Sequence, residues 1–295
     1  MRVCAIDVGT NTVNALVADV RDGGLHVLAD EERFARLGQG VDAAGRLAPE
    51  AMDRVVDRLA AAKATADRLG ADRIVIGATS ASRDAANVPN LQRRVRDELG
   101  LDYRVISGDD EARLSFLGAL ALLPAEPRAV VFDIGGGSME IVAGERGEAP
   151  AFAQSLNVGT VRLTERHGAV PPASESVQAA VTAAVRCALA GIPGEVWARG
   201  PLVGTGSTSK VVARLAASAG AVSREAVRSA RQRVAGETPE ALIALAPEIM
   251  TGRADVALVA LLIVEAVMDA ADADAFVPSA GGLRHGLALD AARAV

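Results

Sequence analysis

An α/β fold of two similar domains, each a mixed sheet flanked by helices, is predicted by three features of the sequence. Strand-like apolar runs alternate with helix-period runs along all 295 residues. A pair of strands joined by a glycine-bearing turn opens the chain at Arg2–Val20 and recurs at Arg128–Ala143. Half of the residues are hydrophobic while 2% are aromatic, so the cores must be built from Ala, Val, Leu and Ile, and the length supports two of them.

The elements follow in order. Arg2–Val8 and Val13–Val20 read as strands around the turn Gly9-Thr10-Asn11-Thr12, and Leu25–Glu31 as a third. Met52, Val55, Val56, Leu59, Ala66 and Leu69 recur at helical spacing, so Pro49–Leu69 is a helix with Pro49 in its first turn and Gly70 as its stop. Arg73–Ala78 is a short buried strand, and Arg83 follows it in a loop rich in Thr and Ser. Pro89–Leu99 is a helix closed by Gly100, Tyr103–Ile106 a strand and Asp109–Leu123 a helix. A Ser-Gly-Asp-Asp start with Asp at the cap suits that last helix. Pro124–Pro127 marks a boundary between a domain over 1–124 and one over 125–295. The second domain repeats the opening: strand Arg128–Asp133, turn Gly135-Gly136-Gly137, strand Ser138–Ala143 and a third strand Ala151–Leu156. Helices follow at Thr160–His167, Ser174–Ala190, Ser207–Ala217, Arg224–Val234, Pro239–Leu245 and Ala254–Ala271. Short strands end at Gly204 and run over Phe276–Pro278. The last helix, about 283–295, is a segment that can pack back on the first domain.

Several classes are disfavoured. Cys4 and Cys187 lie far apart and form no CxxC, and His26, His167 and His285 show no ligand spacing, so neither a disulfide framework nor structural zinc is expected. Met1–Ile6 runs straight into a strand with no leader before it, and the most apolar stretch, Val256–Val267, is short and interrupted by Glu265. A cytoplasmic protein with no membrane partner is the expectation. The net charge of −6 argues against nucleic acid and means that any polyanion site must be locally positive or carry a metal ion.

The repeat carries the chemistry. Asp7-Val8-Gly9-Thr10-Asn11-Thr12 and Asp133-Ile134-Gly135-Gly136-Gly137-Ser138 both read Asp, apolar, Gly, two small or polar residues, hydroxyl. Glycine lets backbone approach an oxyanion, successive N–H groups in a tight turn form an anion nest, and the hydroxyls of Thr12 and Ser138 add donors. An Asp at each strand end can hold Mg²⁺ directly or through water. One copy alone is as readily an ordinary hairpin; two copies suggest two sheets facing a cleft that grips phosphates. A third glycine turn, Gly204–Lys210, opens a helix ready for an anion, with Gly206, Ser207, Thr208 and Lys210 as its phosphate-binding residues.

These turns resemble the two phosphate loops of the actin-like ATPase superfamily, whose domains are ribonuclease H-like. Further segments are similar to one branch, the Ppx/GppA phosphatases. They are Arg36–Gly40, Ala78-Thr79-Ser80-Ala81-Ser82-Arg83-Asp84-Ala85, Ile106–Leu114, Asp133–Glu140, Gly204–Lys210 and Gly281-Gly282-Leu283-Arg284, in order along nearly the whole chain. The resemblance implies exopolyphosphatase activity, with Glu111 as general base, Arg83 gripping the terminal phosphoryl group, and Asp133, Glu140 and Asp7 as metal candidates for Mg²⁺, with Mn²⁺ as a second cation. Glu140 read without the family is equally a solvent-facing strand residue. Arg284 and His285 either line the phosphate channel or form a surface pair at a helix start. Asn14 departs from the family, which usually has an aromatic or basic residue there, and Asp110 replaces a commoner Glu.

The implied substrate is inorganic polyphosphate, short-chain because larger relatives carry extra C-terminal helical domains; those domains also form dimers, and a homodimer is an open expectation. Guanosine penta- or tetraphosphate is the alternative substrate, through removal of the pppGpp 5′-terminal phosphate. A non-catalytic polyphosphate or nucleotide sensor is an alternative of another class. A sugar- or acetate-kinase-like phosphotransferase would need a nucleoside pocket and an acceptor site, for which the sequence gives no signal.

Overall fold

A computed structural model describes residues 1–123 and 128–293; the boundary expected at Pro124–Pro127 lies outside the described residues. The chain begins β1 (Arg2–Val8), β2 (Thr12–Arg21), β3 (Gly24–Phe34), α1 (Val41–Ala44), α2 (Pro49–Arg68), β4 (Arg73–Ala78), α3 (Ser80–Asp84), α4 (Val88–Leu99), β5 (Arg104–Val105) and α5 (Gly108–Ala121). It continues β6 (Arg128–Ile134), β7 (Met139–Glu145), β8 (Phe152–Leu156), α6 (Thr160–His167), α7 (Glu175–Leu189), α8 (Gly194–Trp197), β9 (Leu202–Thr205), α9 (Gly206–Leu215), β10 (Val222–Ser223), α10 (Arg224–Ala235), α11 (Pro239–Leu245) and α12 (Pro247–Met250). A 3-10 turn at Ala254–Val256 leads into α13 (Ala257–Ala270), β11 (Ala275–Pro278) and α14 (Leu283–Arg293).

Two compact units result, Met1–Pro124 with Gly281–Val295, and Ala125–Ala280. The first sheet has the order β3-β2-β1-β4-β5. β1 and β2 pair antiparallel, as do β2 and β3, while β4 and β5 extend the sheet in parallel. The second sheet has the order β10-β11-β9-β6-β7-β8. Read from β8 to β11 it repeats the first: an antiparallel meander of β6, β7 and β8 to which β9 and β11 add in parallel. Such a mixed sheet follows from the connections, because hairpins join antiparallel strands whereas parallel ones need the helical crossovers that α2 and α7 supply.

The sheet of unit 1 is covered on both faces. In unit 1, Ile6, Val13, Leu59 and Leu91 pack under α2 and α4. Val3, Ala5, Leu16 and Ile106 meet Leu283, Leu287 and Ala288 of α14 on the other face. The terminal helix, placed after the second domain by chain order, thus completes the core of unit 1. In unit 2 the rings of Phe132 and Phe276 meet edge to face at 5.3 Å between centroids. The apolar run noticed in the sequence is α13, buried along nearly its whole length. Glu265 interrupts it because that position faces out, where Arg228 and Arg231 pair with it at 2.9 and 2.8 Å. Among the described residues no helix is long and apolar enough to cross a membrane.

Three local readings are corrected. Arg83 stands on the short helix α3 and not in a loop. The cap of α5 is Ser107, whose hydroxyl accepts from the Asp110 N–H at 3.0 Å, so Asp109, Asp110 and Glu111 form the first turn and none of them caps it. Glu140 is 1% exposed, which removes the solvent-facing alternative.

Candidate active site

Parallel strands direct whatever follows them to one edge of the sheet. In unit 1 the strands β1, β4 and β5 end in the turn Gly9–Thr12, in α3 and in α5. The Thr79 N–H donates to the Val8 carbonyl at 3.1 Å and the Ile106 N–H to Ala78 at 3.0 Å, which sets the three endings side by side. In unit 2 the corresponding endings are the turn Gly135–Ser138 after β6, the start of α9 after β9, and Ser279 after β11, whose N–H donates to the Gly204 carbonyl at 2.8 Å.

The structure joins Arg83 and Glu111 directly. Arg83 Nη1 lies 2.6 Å from Glu111 Oε2 and 3.2 Å from the Ile106 carbonyl. Glu111 is 7% exposed. Behind Arg83, the Ser82 hydroxyl and the Tyr103 phenol are 2.8 Å apart in the core, and burial pushes that phenol well above its ordinary pKa. Tyr103 therefore acts as a fixed neutral peg for α3. A buried carboxylate is tolerated here because a guanidinium pairs with it and the N-terminal turn of α5 favours negative charge.

Each glycine turn is closed by the same bond: Gly9 N–H to the Thr12 carbonyl, and Gly135 N–H to the Ser138 carbonyl, both at 2.9 Å. Each is also backed by the chain that follows the third strand of its unit. Ala35 and Arg36 donate to the Asn11 carbonyl and Gly38 to Thr10; in unit 2, Thr160 donates to Gly135, and Val161 and Arg162 to Gly136. These bonds commit turn carbonyls to the scaffold, as an anion nest of N–H groups requires. Arg162, which adds a side-chain bond to the Gly137 carbonyl at 2.6 Å, and Gly159 were missed by the sequence reading. The signal available was positional: both follow the third strand of unit 2 as Arg36–Gly40 follows that of unit 1.

Asp133 and Glu140 are direct cross-strand partners on β6 and β7, and Glu140 accepts from the Ser155 hydroxyl at 2.7 Å. Gly206 brings α9 to the same place. Its φ is +78°, a conformation that disfavours a side chain, and a Cβ there would lie 2.4 Å from Asp133 Oδ1, so the carboxylate would have to move to admit one. Thr205, the N-cap, provides no side-chain cap to α9. Gly206, Ser207, Thr208 and Lys210 are half-buried along its first turn, while Ser209 faces the core. Asp7 sits in unit 1, bonded by Asn14. Among the described residues no group of three or more His, Cys, Asp or Glu gathers into a metal cage. Two carboxylates paired across the strands, Asp133 and Glu140, would suit instead a small hard cation that needs few protein ligands.

Arg284 and His285 are not a surface pair. Arg284 makes two bonds to Asp30, at 2.7 and 2.8 Å, and His285 is buried. Burial opposes the charge of Arg284, yet Asp30, Asp7 and Glu32 together hold its pKa above the ordinary arginine value.

Two sheets of one topology, each with a glycine turn after its first strand, define a two-domain actin-like fold. Residues 16–294 match the Ppx/GppA phosphatase family, and the chain belongs to that family. It is 38% identical to Exopolyphosphatase 2 of Mycobacterium tuberculosis, over 99% of this chain and 98% of that protein. The crystal structure of an exopolyphosphatase from Cytophaga hutchinsonii superposes with a TM-score of 0.88 at 27% identity, covering 99% of this chain and 98% of the other. The Aquifex aeolicus PPX-GPPA enzyme gives a TM-score of 0.81 at 26% identity, with 98% and 99% covered.

Proposed function

We propose that this chain is a phosphoanhydride hydrolase that releases terminal orthophosphate from inorganic polyphosphate. The observation that carries the reading is the Arg83–Glu111 pair, a buried carboxylate and a guanidinium joined at 2.6 Å at the carboxyl edge of the unit 1 sheet. The full-length likeness to a protein named exopolyphosphatase supports the substrate class.

Without substrate, Arg83 screens Glu111. A terminal phosphoryl group offers the guanidinium two oxygens in fork geometry and competes for it. Glu111 then accepts a proton from a water molecule as the water oxygen attacks phosphorus. The anhydride P–O bond breaks, its electron pair stays with the shortened chain, and orthophosphate carries the water oxygen away. The turns Gly9-Thr10-Asn11-Thr12 and Gly135-Gly136-Gly137-Ser138 donate N–H and hydroxyl groups to phosphate oxygens. Gly206, Ser207, Thr208 and Lys210 hold phosphates further along. Asp133 and Glu140 would hold a divalent cation, Mg²⁺ first and Mn²⁺ second, whose charge would offset that of the phosphate oxygens.

Glu111→Gln tests the assignment by phosphate release from polyphosphate of defined length, with pppGpp run beside it. The expected result is a fall in kcat of about 10²–10⁴ with KM held within about threefold. Full activity overturns the base assignment, and faster turnover of pppGpp than of polyphosphate moves the substrate.

A further inference from the structure

Asp7 and Asn14 are direct partners across β1 and β2, and Asp133 and Glu140 hold the same positions across β6 and β7. The matching Gly9–Thr12 and Gly135–Ser138 bonds align the two hairpins residue for residue, so Asn14 stands in unit 1 where Glu140 stands in unit 2. Both are buried. Asn14 Nδ2 lies 3.1 Å from Asp7 Oδ2 and 3.2 Å from Thr12 Oγ1. An amide nitrogen has two N–H groups, and here each meets a group assigned to the phosphate turn. A carboxylate at position 14 would face Asp7 and make a second cross-strand carboxylate pair like that of Asp133 and Glu140.

We infer that Asn14 is a positioning residue: its amide holds the Asp7 carboxylate and the Thr12 hydroxyl in place and confines cation binding to unit 2. The inference rests on the reading of Asp133 and Glu140 as the cation-holding pair. Its consequence is a difference in electrostatics between the turns, the first offering donors alone and the second donors and a cation.

The test counts Mn²⁺ bound to the full-length protein by electron paramagnetic resonance, with thermal melts to establish folding. Wild type should bind one ion, Glu140→Gln none at the same concentration, and Asn14→Asp two. Asn14→Leu removes the donors without adding charge; it should keep one ion and lose about tenfold in kcat/KM for polyphosphate. Asn14→Asp folded with a single ion, or Asn14→Leu with wild-type kcat/KM, overturns the inference. Retention of the ion by Glu140→Gln instead overturns the reading beneath it, so the two failures are distinguishable.

Discussion

The two glycine turns close on identical bonds but rest on different supports. In unit 2 the support is a helix. The first-turn N–H groups of α6, which have no acceptors inside their own helix, are satisfied by the carbonyls of Gly135 and Gly136. In unit 1 it is a loop, and to aim its N–H groups at Thr10 and Asn11 the chain passes through a left-handed residue, Arg36, at φ +49°. Such a conformation costs a bulky residue about 1–3 kcal/mol. A helix end supplies aligned donors without strain, whereas a loop must be bent to match it. Both solutions need a residue with no side chain at the point of contact, Gly159 in one and Gly38 in the other.

The largest expected effect separates these two glycines. A Cβ at Gly159 would lie 2.4 Å from the Gly136 carbonyl oxygen, a backbone atom that can move only by opening the turn. A Cβ at Gly38 would lie 2.2 Å from Thr10 Cγ2, a methyl group. Gly159→Ala should therefore cost about 3 kcal/mol in urea unfolding, the upper end for overpacking, and Gly38→Ala about 1–2. Thr10→Ser should recover part of the Gly38→Ala loss, because it deletes the clashing methyl, and should do nothing for Gly159→Ala. Equal losses at both sites, or no recovery, break the distinction between helix and loop support.

The two cysteines report on the units separately. Cys4 is buried in β1, and that burial pushes its thiol up to about 12, while Cys187 is exposed on α7. A thiolate is the reactive form, so at pH 8 an aromatic disulfide reagent should titrate one thiol at once and the second only in denaturant. Cys4→Ser should leave the fast thiol and Cys187→Ser should remove it. A second thiol appearing at a urea concentration where unit 2 is still folded would mark unit 1 as the weaker body.

How much of this was legible beforehand follows from element length. Strands and helices of several residues leave a period in the sequence, and β1, β2, α2, α5 and β6 fall within a residue or two of their expected bounds. The elements that escaped are α1, α3, α8, α12 and β10, each of five residues or fewer, too short to show a period. α3 mattered most, since it carries Arg83. The repeat of the hairpins was readable because a glycine turn between apolar strands is local chemistry. The support behind them was not, because Gly38 and Gly159 are required by atoms remote in sequence. The pairing of Arg83 with Glu111 was likewise invisible: the residues were picked from motifs, but only the parallel order of β1, β4 and β5 brings their helices together.

The last contrast lies at the far end of the same hairpins. Arg2 opposes Asp19 in β1 and β2, and Arg128 opposes Glu145 at the matching position in β6 and β7. The first pair is joined at 2.8 and 3.1 Å, and Arg2 also donates to the Leu69 carbonyl. The second pair is 3.7 Å apart and open to solvent. The hydrogen bond from Arg2 holds the Asp19 carboxyl below its ordinary pKa. A depressed folded-state pKa means that the unfolded chain takes up the proton first, near its own value of about 3.9. The stabilisation from Asp19 is therefore complete above that pH and lost as pH falls through the folded-state value. Asp19→Asn should lower the urea midpoint at pH 7, and the gap to wild type should close toward pH 2. Glu145→Gln should change stability by no more than about 0.5 kcal/mol at either pH, as for an exposed, loosely paired charge. Equal effects of the two substitutions at pH 7 would mean that the bidentate geometry in unit 1 adds nothing to the pairing of charges.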